Sequence, residues 1–349
     1  MKFDLMPLGA ALLFGGAISV AALRGGSRLL DYPSLRAVGA TVRVPVGDDA
    51  KLDGVERRRV IDGVVRNVRE HYVDKDVAQK MADALLAHEK NGDDNAIAEG
   101  GAFAALLTRQ MRDVSHDLHL EVVYSRDRLP EHPGAPNQES LANYRRALER
   151  ENCTFETVKM LPHNIGYLKL NSFPDVSICR STAVAAMASL NRADAVIFDL
   201  RDNRGGYSEM VMLIAGYLFD HPEYMYSPRE APTERSWTRS PVAGSRLADK
   251  PVYVLISGTT WSAAEQFSYD LKMLKRTTLV GEKTRGGAHA GVFYRIDDHF
   301  GVGIPEVKAV NPFSKNDWAG VGVEPDVKVQ AGEAFAAAVR LAEGKLRKR

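Results

Sequence analysis

Apolar residues recur at helical spacing early in the chain, at Val60, Val64, Val65 and Val68 and again at Met81, Leu85 and Leu86. That period predicts a helical stretch from Val55 to about Leu107. His119 to Tyr124 reads as a short strand, Asp127 to Asn137, with three prolines and a glycine, as a loop, and Ser140 to Glu151 as one helix. Beyond this the rhythm changes. Short apolar runs bounded by turn residues alternate with amphipathic segments, the pattern of an α/β layer fold. Strands are predicted at Ile165 to Leu170, Ala195 to Leu200, Val252 to Ile256 and Thr277 to Val280. Helices are predicted at Arg180 to Leu190, Tyr207 to Phe219 and Ala263 to Leu274.

Length adds a prior of about two domains for 349 residues. The pattern divides them as a leader over 1–28, a helical domain over 29–135 and an α/β domain over 136–349. From Leu5 to Leu23 the chain carries no charge, Lys2 precedes this run, and small residues such as Ser19 and Ala21 close it. The run reads as a signal peptide or a retained N-terminal anchor, which places the protein outside the cytoplasm, in the periplasm or cell envelope. Hydrophobic residues make up 45% and charged residues 26%, and 46 Lys and Arg against 45 Asp and Glu leave a net charge of +1. This composition excludes disorder and provides no basic field for nucleic acid; the short tail of Lys345, Arg347, Lys348 and Arg349 does not alter that. Cys153 and Cys179 have no metal-ligand spacing and leave room for one disulfide.

Candidate chemistry concentrates in two strand-to-helix turns. In Asp199-Leu200-Arg201-Asp202-Asn203-Arg204-Gly205-Gly206, the paired glycines allow close backbone approach and free amide hydrogens to face a developing oxyanion. A tight turn with no chemistry has the same pattern. In Ser257-Gly258-Thr259-Thr260-Trp261-Ser262-Ala263-Ala264-Glu265, Ser262 stands where a helix begins, in the positive end of its dipole. Ser262 and Glu265 also spell a Ser-x-x-Glu capping box, and the segment lacks the Gly-x-Ser-x-Gly of a nucleophile elbow. A nucleophilic serine needs a base. Among nine histidines, His119 and His289 sit beside turns or strand starts, and taken alone each reads first as a surface or structural histidine.

Six motifs in order carry a family resemblance: Asp117-x-His119-Leu120, Asn164-Ile165-Gly166-Tyr167, Asp199-Leu200-Arg201 with Gly205-Gly206, Ser262-Ala263-Ala264-Glu265, Gly281-Glu282-x-Thr284-x-Gly286-Gly287, and Gly322-Val323-Glu324-Pro325-Asp326. Together they resemble the C-terminal-processing, or tail-specific, serine proteases, in the branch similar to interphotoreceptor retinoid-binding protein and the tricorn core protease. The resemblance implies that 136–349 form a catalytic domain of crotonase-like ββα architecture behind the helical domain; no segment between the two halves resembles the PDZ domain that many tail-specific proteases use to hold substrate C-termini. It implies Ser262 as nucleophile, His119 as general base, and Gly206 with the backbone of Ala263 as oxyanion hole. The implied activity is serine endopeptidase hydrolysis of peptides or unfolded protein tails through an acyl-enzyme, with no cofactor and no metal. Relatives with a Ser-Lys dyad carry their lysine about where Gly287 stands, which leaves histidine as the base. Ala319 follows Trp318 where the histidine-using branch usually has a glutamate, so Glu282 or Asp317 is expected to orient His119 instead. The same fold also admits a non-catalytic protein that binds a hydrophobic ligand, as in the retinoid-binding relatives, or an acyl-CoA enzyme.

Overall fold

The computed structural model describes residues 51–129, 138–228, 236–237 and 247–348. The predicted leader and residues 130–137 of the predicted loop lie outside the described residues. In chain order the elements begin with helices α1 (Gly54–His71), α2 (Lys75–Asn91) and α3 (Gly100–Ser115), strand β1 (Glu121–Tyr124) and helix α4 (Gln138–Arg150). Next come β2 (Phe155–Leu161), β3 (Ile165–Leu170), α5 (Val176–Ser189), β4 (Ala195–Asp199) and α6 (Ser208–Ala215). Strands β5 (Tyr224–Pro228), β6 (Ser236–Trp237) and β7 (Val252–Ile256) lead to α7 (Ala263–Met273) and β8 (Thr278–Gly281). The chain closes with β9 (His289–Arg295), β10 (Phe300–Val310), β11 (Val327–Lys328) and α8 (Ala334–Leu346).

Two compact units result, one holding the described residues up to Ser140 together with 289–308, the other holding 141–288 and 309–348. In the first unit Asp53 caps α1 reciprocally with Glu56, and Asp74 caps α2 by accepting from the N–H groups of Asp76 and Val77. The predicted apolar stripe of Val60, Val64, Val65 and Val68 is buried, with Met81, Leu85, Phe103 and Leu107 from the next two helices. This core is completed by Val122, Phe300, Val302 and Ile304 from a small antiparallel sheet in which β10 pairs with both β1 and β9.

The second unit is built on a six-stranded sheet of order β11-β8-β7-β4-β3-β2, parallel except for β2. Alternate residues of its strands enter separate cores. Leu168, Val196, Phe198, Val254 and Leu279 face α5, α6 and α7, whereas Ile165, Tyr167, Ile197, Leu255 and Val280 face the alanine-rich α8. Burial on both faces is why β4 and β7 read as unbroken apolar runs rather than alternating ones. Strands β3, β4 and β7 fall at the positions expected from sequence. The segment predicted as one helix from Tyr207 to Phe219 is α6 followed by a single 3₁₀ turn, Gly216–Leu218, and α5 starts earlier than Arg180 because Asp175 caps it. Since β4 and β7 are adjacent and parallel, the turns after Asp199 and after Ile256 emerge side by side at the carboxyl edge of the sheet.

Candidate active site

These two turns are sewn together almost entirely through backbone carbonyls. Thr260 Oγ1 donates to Leu200 O at 2.9 Å, Ser257 Oγ and Thr259 Oγ1 donate to Arg201 O at 2.6 and 2.7 Å, and Trp261 N donates to Asn203 O at 3.1 Å. Asn203 is fully buried; its side chain donates to Leu170 O at 2.8 Å and accepts from Gly205 N at 2.8 Å. Beneath the first turn, the buried Asp199 accepts from Tyr167 Oη at 2.7 Å and from two guanidinium nitrogens of Arg201 at 2.6 and 2.9 Å. The Asp-Leu-Arg triplet is therefore a strut that fixes the Gly-Gly turn.

Ser262 occupies the N-cap of α7 with φ 53 and ψ −119, a conformation that a non-glycine residue holds only when its surroundings impose it. A nucleophile elbow has this kind of strained strand-to-helix geometry, although the Gly-x-Ser-x-Gly spelling is missing. The space that such a motif obtains from neighbouring glycines comes here from the other turn. A methyl group on Gly205 would stand 2.7 Å from Ser262 Cβ and 3.0 Å from Ala263 N. Gly206, at φ 135, lies so close to Phe173 that a methyl group there would come within 2.0 Å of Phe173 O. Phe173 bridges this turn on both sides, donating to Gly205 O and accepting from Tyr207 N, each at 2.7 Å. Among the described residues no acceptor takes the N–H of Gly206 or of Ala263. The two N–H groups predicted as oxyanion-hole donors thus have no described acceptor; one belongs to the residue after Ser262 and the other to the residue after Gly205, which packs against Ser262 Cβ.

Glu265 carries more than sequence indicated. It is fully buried, and its carboxylate accepts from Thr284 Oγ1 at 2.5 Å, Gly286 N at 2.6 Å, Gly287 N at 2.8 Å and Ser262 N at 2.9 Å. Burial pushes this carboxyl up to about 7, against the four donors, which favour its ionised form. The capping-box signal locates only its bond to Ser262. Its other three bonds tie the 284–287 loop to the serine turn, and no local pattern announces them. Trp318 Nε1 also donates to Gly287 O at 2.7 Å.

The candidate bases belong to the first unit. After α3, His116 adopts φ 56 and turns the chain, and Arg112 grips the following segment by donating to Leu118 O and Leu120 O at 2.8 Å each. This places Asp117 in the interior at the centre of a polar cluster. Its Oδ2 is 2.5 Å from His289 Nδ1 and accepts from Tyr72 Oη at 3.2 Å; its Oδ1 accepts from His119 N at 3.0 Å and lies 3.6 Å from His119 Nδ1. Burial opposes ionisation of Asp117, but the hydrogen bonds and charges of His119 and His289 outweigh it and hold the carboxyl far below the usual range. Each of the two carboxylates expected to orient His119 accepts a backbone N–H. Glu282 Oε1 accepts from Ala331 N at 3.1 Å, and Asp317 Oδ1 accepts from Ala319 N at 2.8 Å in a tight turn. The acid that meets both histidines is Asp117, two residues before His119 and in plain sight in the sequence. Its separation of 172 positions from His289 is what hid the pairing.

A mixed α/β sheet with a serine on a strained strand-to-helix elbow is the arrangement with which the following similarities agree. Residues 164–329 match the profile of Peptidase family S41. The Carboxyl-terminal-processing protease of Synechocystis sp. is 28% identical over 167 residues, which is 48% of this chain and 38% of that protein. The Carboxy-terminal processing protease CtpA of Bacillus subtilis is 25% identical over 203 residues, 56% of this chain and 41% of that protein. The chain therefore spans about two fifths of the length of these curated relatives. Among solved structures, a protein from Parabacteroides merdae shares the fold with a TM-score of 0.59 at 19% identity, over 82% of this chain and 96% of that one. The tricorn protease matches with a TM-score of 0.52 at 14% identity, over 84% of this chain and 37% of its own.

Proposed function

We propose that the chain is a serine endopeptidase that cleaves peptides or unfolded protein tails through an acyl-enzyme on Ser262. One observation carries this reading: Ser262 is held at positive φ at the start of α7 with the acceptor-free N–H groups of Gly206 and Ala263 on the backbone around it. In this scheme Ser262 Oγ attacks the scissile carbonyl while His119 takes its proton. The carbonyl oxygen becomes an oxyanion held by the amides of Gly206 and Ala263. Collapse breaks the C–N bond, the imidazolium returns the proton to the leaving amine, and water, deprotonated by the same histidine, releases the acyl group. Asp117, already ionised beside His119 and His289, stabilises the imidazolium. The reading extends to the crotonase-like character of the sheet-and-helix layer, to substrate choice without a PDZ domain, and to export. Export is supported by the disulfide between Cys153 and Cys179, since such bonds persist in oxidising compartments.

Mass-spectrometric mapping of a fluorophosphonate probe tests the assignment. The expected result is labelling of Ser262 that vanishes in Ser262→Ala and drops sharply in His119→Ala, with both variants folded by circular dichroism. Undiminished labelling in His119→Ala removes that residue as base. No labelling of the folded wild type overturns the peptidase reading and favours the non-catalytic, hydrophobic-ligand-binding role.

A further inference from the structure

Between α4 and β2 three consecutive non-glycine residues, Asn152, Cys153 and Thr154, hold φ of 48, 52 and 63. The left-handed region is unfavourable for each of them, and most of all for the β-branched Thr154, so the turn persists only because its surroundings impose it. Two attachments do so. Cys153, in the middle, is bonded to Cys179 near the start of α5. Thr154 is buried; its Oγ1 donates to Ser172 O at 3.1 Å and meets Ser172 Oγ at 2.9 Å, while its carbonyl accepts from Asn171 N at 3.0 Å. The turn therefore grips Asn171 and Ser172, and none of its residues has a part in the scheme above.

The segment it grips also carries the glycine turn. Arg204 N donates to Asn171 O at 3.1 Å, Phe173 N to Gly205 O and Tyr207 N to Phe173 O at 2.7 Å each, and Phe173 pairs with Gly206 as a parallel bridge. Residues 171–173 thus continue β3 beyond its end and tie Thr154 to the 204–207 turn. Gly206 lies so close to this segment, with Phe173 O 2.0 Å from where a methyl group would stand, that the direction of its N–H follows the Phe173 backbone. On the other side of Phe173, Asp175 caps α5 by accepting from Ser177 N at 2.7 Å, and the disulfide fastens that helix back to Cys153. An oxyanion donor acts only at hydrogen-bond distance from where the charge develops, so a small displacement of 171–173 bears directly on it.

We propose that Thr154, fixed by the Cys153–Cys179 bond, is a positioning residue for the Gly206 oxyanion donor and acts on it through Ser172 and Phe173. Its part in catalysis rests on the peptidase reading; its hold on the 204–207 turn does not. Fluorophosphonate labelling of Ser262 is followed against probe concentration and pH in Thr154→Val, which keeps the β-branched shape without the hydroxyl, in Thr154→Ser, which keeps the hydroxyl, and in Cys153→Ala/Cys179→Ala. In Thr154→Val and the double variant the maximal labelling rate is expected to fall about tenfold or more, part of the roughly 10²–10³ that one oxyanion donor supplies, with the half-saturating probe concentration and the pH midpoint unchanged. Thr154→Ser is expected to keep the wild-type rate. Thr277→Val removes a hydroxyl bond of the same kind, to Val252 O at 3.0 Å at the amino edge of the sheet, and should leave the rate as it is. Wild-type labelling in folded Thr154→Val and in the folded double variant overturns the proposal, as does an equal loss in Thr277→Val; if one of the two fails to fold, the other decides. Hydrogen exchange separates this link from the peptidase reading: the amides of Asn171, Phe173, Arg204 and Tyr207 should exchange faster in both variants than in wild type. Labelled Ser262 with unchanged exchange removes the link alone, whereas absent labelling of the wild type removes the peptidase reading and leaves exchange to decide the link.

Discussion

Replacing Glu265 by glutamine changes one atom in the most densely bonded side chain near Ser262, and its effect should change with pH. The carboxylate presents two oxygens to four donors: Thr284 Oγ1 and Gly286 N on one, Gly287 N and Ser262 N on the other. A glutamine has one oxygen and one NH₂ group. Wherever the NH₂ falls it meets at least one backbone N–H, so one or two buried donors lose their acceptor, at about 1–3 kcal/mol each. Against this stands the cost of ionising a buried acid. With a folded value of about 7 and an ordinary value of 4.5, the folded state binds the proton more tightly than the unfolded chain. Stability from this group is therefore fully present below pH 4.5 and is lost as pH rises to about 7, an amount of about 3 kcal/mol that the glutamine variant never loses. Near pH 5, where the wild-type side chain is itself protonated and like glutamine sets a hydrogen-bearing atom against these donors, the two proteins should differ little, and by about pH 8 the balance should have moved by about 3 kcal/mol in favour of the variant. Urea unfolding of both proteins at the two pH values, followed by tryptophan fluorescence, measures it. A gap that is the same at both refutes the argument that burial dominates Glu265.

Gly206→Ala forces a methyl group to within 2.0 Å of Phe173 O, so the Gly206 amide must move, and fluorophosphonate labelling of Ser262 should slow by about 10²–10³, the usual cost of one oxyanion donor. An unchanged labelling rate in the folded variant removes Gly206 from the oxyanion hole. Asp117→Asn keeps the shape of the cluster around His119 and His289 but not its charge; labelling should fall by up to about 10⁴, as when the orienting acid of a catalytic triad is neutralised. Reduction of the Cys153–Cys179 bond, which closes a separation of 26 residues, should cost about 3–4 kcal/mol of unfolding free energy, read from urea curves with and without reductant; superimposable curves would remove it as a stabilising link.

Much of the second unit was legible because its strands are buried on both faces and its helices are capped locally. Ile165 to Leu170 and Val252 to Ile256 have the predicted bounds, and α7 begins at Ala263 as the Ser262 cap requires. Strands β2, β9 and β10 were not anticipated. β2 is an edge strand with polar residues at exposed positions, and β9 and β10 carry glycines and a proline that read as loop until pairing partners are supplied. The same division holds in the candidate site. Ser262, the paired glycines and His119 stand out because turn chemistry and motif spacing are local, and they remain the residues on which the proposed mechanism depends.

By itself the sequence determined what is written in short periods: the helical first unit, the apolar parallel strands, the two strand-to-helix turns, and the candidates for nucleophile, base and amide donors. Only the tertiary structure decided which carboxylate does what. Glu265 became the anchor of a loop 21 residues away at Gly286, and Asp117 became the shared partner of two histidines. It also put Arg285 over the tryptophan next to the serine. The physical reason is that helix and strand periods and caps are set by neighbours along the chain. A buried charge instead answers to donors brought to it by folding, whose separation in sequence leaves no periodic trace.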